Sequence, residues 1–189
     1  MVTDYIKPDE MDCVLMALMP TNRLVCRVCL ATGYRVGDVL ALTRDQVERA
    51  SETGRLSLIE DKTSKRRAVS VSKSLMREVL AQSGSAYAFP HRDDARRHRT
   101  RQAVFKDVKK AAKALRIRDN VAPHSLRKIY AVKKYRASGD IRRVRDALNH
   151  DNELVTLLYA LADQLPVVKA MRSASRGRSP KARKGSPKP

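Results

Sequence analysis

Pro123-His124-Ser125-Leu126-Arg127 narrows the choices for this chain more than any other stretch. Proline suits the first position of a helix, because its missing N–H would have no partner there anyway. With Pro123 so placed, His124 and Arg127 lie three residues apart on one side of the first turn, where unpaired backbone N–H groups also point outward. An imidazole, a guanidinium and a set of amide donors in one place form a phosphate site in outline. The helix behind them should run to about Ala137 through Leu126, Ile129 and Tyr130.

The charge of the chain says which phosphates. Forty Lys and Arg against twenty Asp and Glu leave a net charge of +20, with an isoelectric point near 10.4, which favours a polyanionic partner through counterion release. Aromatic residues make up only 4% and Trp is lacking, so stacking platforms for single strands are poorly supplied and a duplex backbone fits better. No apolar run approaches the roughly 20 residues of a membrane span, and Asp4, Asp9 and Glu10 do not suit a signal peptide. The expected location is cytoplasmic and associated with the nucleoid. Cys13, Cys26 and Cys29 sit in helical apolar patterns, and Cys26-Arg27-Val28-Cys29 lacks the second ligand pair that zinc requires.

At 189 residues the chain suits one ordinary domain plus a tail. Met11, Val14, Leu15 and Leu18 follow helical spacing after Pro8, with Pro20 closing the segment and a second helix expected from about Asn22, capped by Thr21. Gly33 breaks that helix, and Arg35 follows at the start of a short one carrying Asp38, Val39, Leu40 and Leu42; taken alone, Arg35 reads as a surface arginine paired with Asp38. Arg55–Glu60 and Arg67–Ser72 alternate as strands of a β-hairpin, the second with Ala68, Val69 and Val71 against serines. Its turn carries Lys62, Lys65 and Arg66. Leu75, Met76, Val79 and Leu80 mark a helix, Tyr87–Pro90 a short strand, and His91–Arg101 an arginine-dense loop suited to nonspecific backbone contact. Val104, Phe105, Val108, Ala111, Ala112 and Leu115 share one helical face. Beyond the box at His124, Gly139 and Asp140 separate it from a helix with Ile141, Val144 and Leu148 inward. The fold class is therefore mainly α with a small antiparallel β-hairpin (α+β). Residues 1–166 form the domain; residues 167–189, basic and rich in Ser, Gly and Pro with no acidic residue, form a disordered tail.

Taken in order, Thr32-Gly33-Tyr34-Arg35 with Asp38, the lysine of the hairpin turn, His124 to Arg127, Asn149-His150 and Tyr159 resemble the catalytic set of the tyrosine recombinases, the phage integrase family. The resemblance runs from about Tyr5 to Leu161. It implies that fold, and a catalytic set of Arg35, Lys62, His124, Arg127, His150 and Tyr159. Lys62 fits better than Lys65, because the family lysine opens the turn. Asn149 stands where the family usually has glycine, and asparagine visits the left-handed region more readily than other side chains.

What the resemblance implies chemically is strand cleavage and rejoining. Two guanidiniums brace the nonbridging oxygens, Lys62 protonates the leaving 5′ oxygen, His124 contacts the phosphate or takes the tyrosine proton, and Tyr159 forms a 3′-phosphotyrosyl bond. Neither a metal nor ATP is expected as cofactor. The expected partner is double-stranded DNA, contacted by Lys65, Arg66, Arg96, Arg97, Arg99, Arg101 and Lys128, with a tetramer on two sites implied by the family. Most members carry a separate N-terminal helical domain that closes a clamp on the duplex. This chain has only a short lead, so a half clamp leaning on the tail, the arginine loop or a protein partner in place of that domain is expected. The alternatives are a noncatalytic DNA-binding protein that keeps the fold, a strand relaxer like the type IB topoisomerases, or a basic packing protein, which would leave the ordered boxes unexplained.

Overall fold

The computed structural model describes residues 3–148, which form eight α-helices and one antiparallel hairpin. Asn149, His150, Tyr159 and the basic tail lie outside the described residues. Helix α2 (Pro20–Thr32) is the hub: it packs against α1 (Pro8–Ala17), α3 (Val36–Leu40), α5 (Lys73–Ala81), α6 (Arg101–Ala114) and α7 (Pro123–Ser138). Its inward residues Val25, Cys26, Val28 and Cys29 are buried. Burial pushes the Cys26 thiol up to about 12 and the Cys29 thiol well above its usual value, so both stay protonated and act as packing groups.

Pro20 opens α2 rather than closing the helix before it. It occupies the first helical position, where no backbone donor is lost, and Thr21 lies inside the helix instead of capping it. Helix α4 (Arg44–Thr53) was not expected from the apolar pattern. It starts on a capping box in which Thr43 Oγ1 accepts the Gln46 N–H and Gln46 Oε1 accepts the Thr43 N–H, and it buries Val47, Ala50 and Ser51. It packs against α5 and the hairpin.

The hairpin pairs β1 (Arg55–Ile59) with β2 (Arg66–Ser70), Leu56 facing Val69 and Leu58 facing Arg67. Ala68, expected inward, is exposed; Arg67 takes the inner face. Tyr87–Pro90 makes only isolated bridges, Tyr87 with Thr43 and Pro90 with His98, because no neighbouring strand among the described residues continues the ladder. Helix α6 is capped by Thr100 Oγ1, which accepts the Ala103 N–H. Helix α8 (Ile141–Leu148) buries Val144 and Leu148 and packs on α7. Among the described residues no helix is long and apolar enough to cross a membrane.

Candidate nucleic-acid active site

Gly33 ends α2 in the left-handed region, with φ of +68°. A Cβ there would stand 2.4 Å from the Tyr130 ring, so α2 and α7 approach this closely only across a glycine. The turn delivers Tyr34 into the core, where its hydroxyl donates to the Arg67 carbonyl at 2.7 Å, and places Arg35 at the cap of α3. Arg35 does not pair with Asp38. Its Nη1 donates to Glu60 Oε2 at 3.2 Å, while Asp38 Oδ1 accepts the Asp61 N–H at 3.1 Å. Asp38 therefore holds the hairpin turn that carries Lys62. Ser64, in a left-handed conformation, tightens the same turn by donating its N–H to the Glu60 carbonyl.

Pro123 starts α7, so His124 stands exposed on the first turn and Arg127 lies one turn deeper, 3% exposed. Arg127 Nη1 donates to the Gly33 carbonyl and Nη2 to the Leu148 carbonyl at 2.5 Å. The same guanidinium thus ties the Arg35 turn to the end of α8. One cleft of about 380 Å³ is lined by Arg35, Lys62, His124 and Arg127, with Arg101 from the start of α6 and the carboxylates of Asp38 and Asp61. Four residues of the expected catalytic set meet there; His150 and Tyr159, the other two, lie outside the described residues.

The expected DNA contacts divide. Lys65, Arg66, Arg96, Arg97 and Arg101 are exposed, and Arg101 reaches the cleft itself. Arg99 is half-buried, its Nε donating to Asn22 Oδ1 at 2.7 Å, so it fastens the arginine loop to α2. Lys128 has to be withdrawn. It is buried, its ammonium donates to the Thr3 carbonyl, and burial pulls its pKa below the usual lysine value against the opposing pull of Asp4. One position along α7 from Arg127 turns a side chain about 100° around the axis, away from the cleft.

Two residues that sequence reasoning passed over sit beneath the site. Glu60, with no exposed surface, lies between Arg35 and Arg67, whose Nε is 3.3 Å from Glu60 Oε1. Arg67 also donates to the Thr32 carbonyl at 2.6 Å and to the Ala147 carbonyl, and its guanidinium lies 4.0 Å from the Tyr34 ring centroid. Arg67 and Arg127 together satisfy the last carbonyls of α8, a helix end that cations suit. The signal for Arg67 was available: an arginine at an inward register position of a strand needs a buried partner, and Glu60, just past the end of β1, is within its reach.

The profile of the phage integrase family matches residues 5–164. The integrase of Escherichia phage P2 is 27% identical over 158 residues, covering 84% of this chain and 43% of that protein. Tyrosine recombinase XerD of Mycobacterium tuberculosis (strain ATCC 25618 / H37Rv) is 28% identical over 177 residues, covering 86% of this chain and 53% of that protein. The chain spans about half the length of these curated relatives. The crystal structure of XerH site-specific recombinase bound to palindromic difH substrate, a post-cleavage complex, shares the fold with a TM-score of 0.66 at 21% identity, over 92% of this chain and 53% of that one.

Proposed function

Because the chain belongs to the phage integrase family, we propose that it is a site-specific DNA recombinase that cuts and rejoins strands through a 3′-phosphotyrosyl intermediate. The observation that supports this most is the cleft in which Arg35, Lys62, His124 and Arg127, drawn from three separate parts of the sequence, face one volume. A phosphodiester resists attack because its nonbridging oxygens carry charge that must be held as the nucleophile arrives. Arg35 and Arg127 hold it with charged N–H donors. The Tyr159 oxygen attacks phosphorus, giving its proton to His124, and the bond to the 5′ oxygen breaks as Lys62 supplies that oxygen with a proton. His150 hydrogen-bonds the phosphate. Attack by a 5′ hydroxyl on the tyrosyl ester reverses every step and reseals the strand, so the ester itself conserves the bond.

Tyr159 is the assignment on which the reading turns, and it rests on its spacing from His150. Residues 1–166 act as the catalytic domain on double-stranded DNA, as a tetramer on two sites, and residues 167–189 add affinity. Incubation with nicked suicide duplexes, followed by denaturing electrophoresis, tests the chemistry. The expected result is a covalent protein–DNA adduct that Tyr159→Phe abolishes. DNA binding without an adduct on any candidate site would instead favour a protein that keeps the fold and has lost the reaction.

A further inference from the structure

Helix α4 sorts its charges by face. Asp45, Glu48 and Glu52 follow one helical stripe, while Gln46, Arg49 and Thr53 follow the adjacent one, and Val47, Ala50 and Ser51 are buried. The stripe with Arg49 meets the outer face of the hairpin, where Arg55, Ser57 and Ile59 of β1 alternate outward and Arg66 of β2 stands opposite Ile59. Between them runs a groove of about 550 Å³. Among the described residues its lining includes Arg49, Arg55 and Arg66 and not one carboxylate, although α4 carries three acidic residues. All three arginines are exposed, and none forms an ion pair with a carboxylate among the described residues.

The groove leads to the cleft. Gln46, Leu58 and Ile59 also line a second trough, which shares Asp38, Asp61 and Arg101 with the cleft of Arg35 and Arg127. Ile59 is 60% exposed at the junction, an apolar surface for the sugar face of a backbone that the arginines grip by its phosphates. We propose that this groove between α4 and the hairpin is a second phosphate-backbone site, which holds the same nucleic acid some distance from the linkage in the cleft through Arg49 and Arg55. It rests on the reading that the cleft takes DNA. An arginine groove would repel the chain's own basic tail, and guanidinium forks match phosphate oxygens.

The test uses the 189-residue chain with Tyr159→Phe, so that binding is read without cleavage, on a short duplex confined to the cleft and on one extended past the hairpin. Arg49→Gln/Arg55→Gln removes two cations; Lys73→Gln/Arg77→Gln, at exposed positions of α5 outside all three linings, removes the same charge as a control. The expected result is that the double variant lowers the salt-dependence slope by about 2 on the long duplex and leaves the short one unchanged, while the control changes neither. Equal losses on both duplexes, or no loss on the long one, overturn the proposal. Failure of the Tyr159→Phe protein to bind either duplex would instead sink the DNA reading of the cleft, which the adduct assay reads separately.

Discussion

Glu60 has no exposed surface and stands between two guanidiniums, one of which lines the cleft. A buried acid there does two things: it offsets repulsion between Arg35 and Arg67, and it fixes one donor of Arg35, which orients the guanidinium that lines the cleft. Removing one partner of such a group strands the others, at a cost of about 3 to 5 kcal/mol, so Glu60→Ala should melt well below the unsubstituted chain. Glu60→Gln keeps the hydrogen-bonding shape and removes the charge. Its DNA affinity should hold or rise, because the cleft gains positive potential, while the single-turnover cleavage rate falls about 10-fold or more as Arg35 loses its fixed orientation. A rate left unchanged at saturating DNA would show that Arg35 needs no such pin. At Gly33 the argument is steric: with φ of +68° and the Tyr130 ring where a Cβ would go, Gly33→Ala should destabilise the fold by more than about 1 kcal/mol in denaturant titration.

Helix α7 is fastened from the far end of the chain. Ser125 Oγ donates to the Asp4 carbonyl at 2.7 Å, the Asn120 N–H donates to Asp4 Oδ2 at 2.7 Å, and the Lys128 ammonium donates to the Thr3 carbonyl. The lead segment thus grips the turn that presents His124 and Arg127. Because burial lowers the Lys128 pKa, the folded chain binds fewer protons than the unfolded one between that lowered value and the ordinary 10.5, so stability rises with pH across that window. Lys128→Met should flatten the rise and, by freeing Thr3, speed hydrogen exchange at the start of α7; thermal melts at several pH values check the first, exchange the second. Elements of this kind set the limit of sequence reading. The box at His124, the hairpin and the break at Gly33 could be read because each is a local pattern of capping, alternation or left-handed backbone. Lys128 looked like its neighbour Arg127, since only the tertiary seating of α7 decides which of two adjacent cations faces the cleft. Helix α4 hid because its charged stripes outnumber its apolar positions, though its capping box was legible, and Arg67 hid because an inward arginine breaks the alternation that defined its strand.

Over the whole molecule the decisive quantity is where positive charge accumulates. The described residues bring Arg35, Lys62, Arg101, His124 and Arg127 to one cleft, and three exposed arginines to the groove beside the hairpin. A further concentration is in the sequence after Pro166, where Lys169, Arg172, Arg176, Arg178, Lys181, Arg183, Lys184 and Lys188 have no acid among them. Charge held in a cleft acts at fixed distances from one linkage, and a run of cations without acids raises affinity for any phosphate backbone. The two contributions should separate in their salt dependence. If all eight tail cations neutralise phosphates, a chain ending at Pro166 loses up to about 7 from the slope of log affinity against log salt, at about 0.9 per phosphate. The rate of adduct formation at saturating nicked duplex should stay the same, because no tail residue belongs to the proposed reaction. Titrations from low to physiological salt on the full and shortened chains, beside single-turnover assays, make the measurement. Equal slopes would assign the affinity to residues 1–166, and a slowed adduct at saturation would mean that residues after Pro166 help to seat Tyr159.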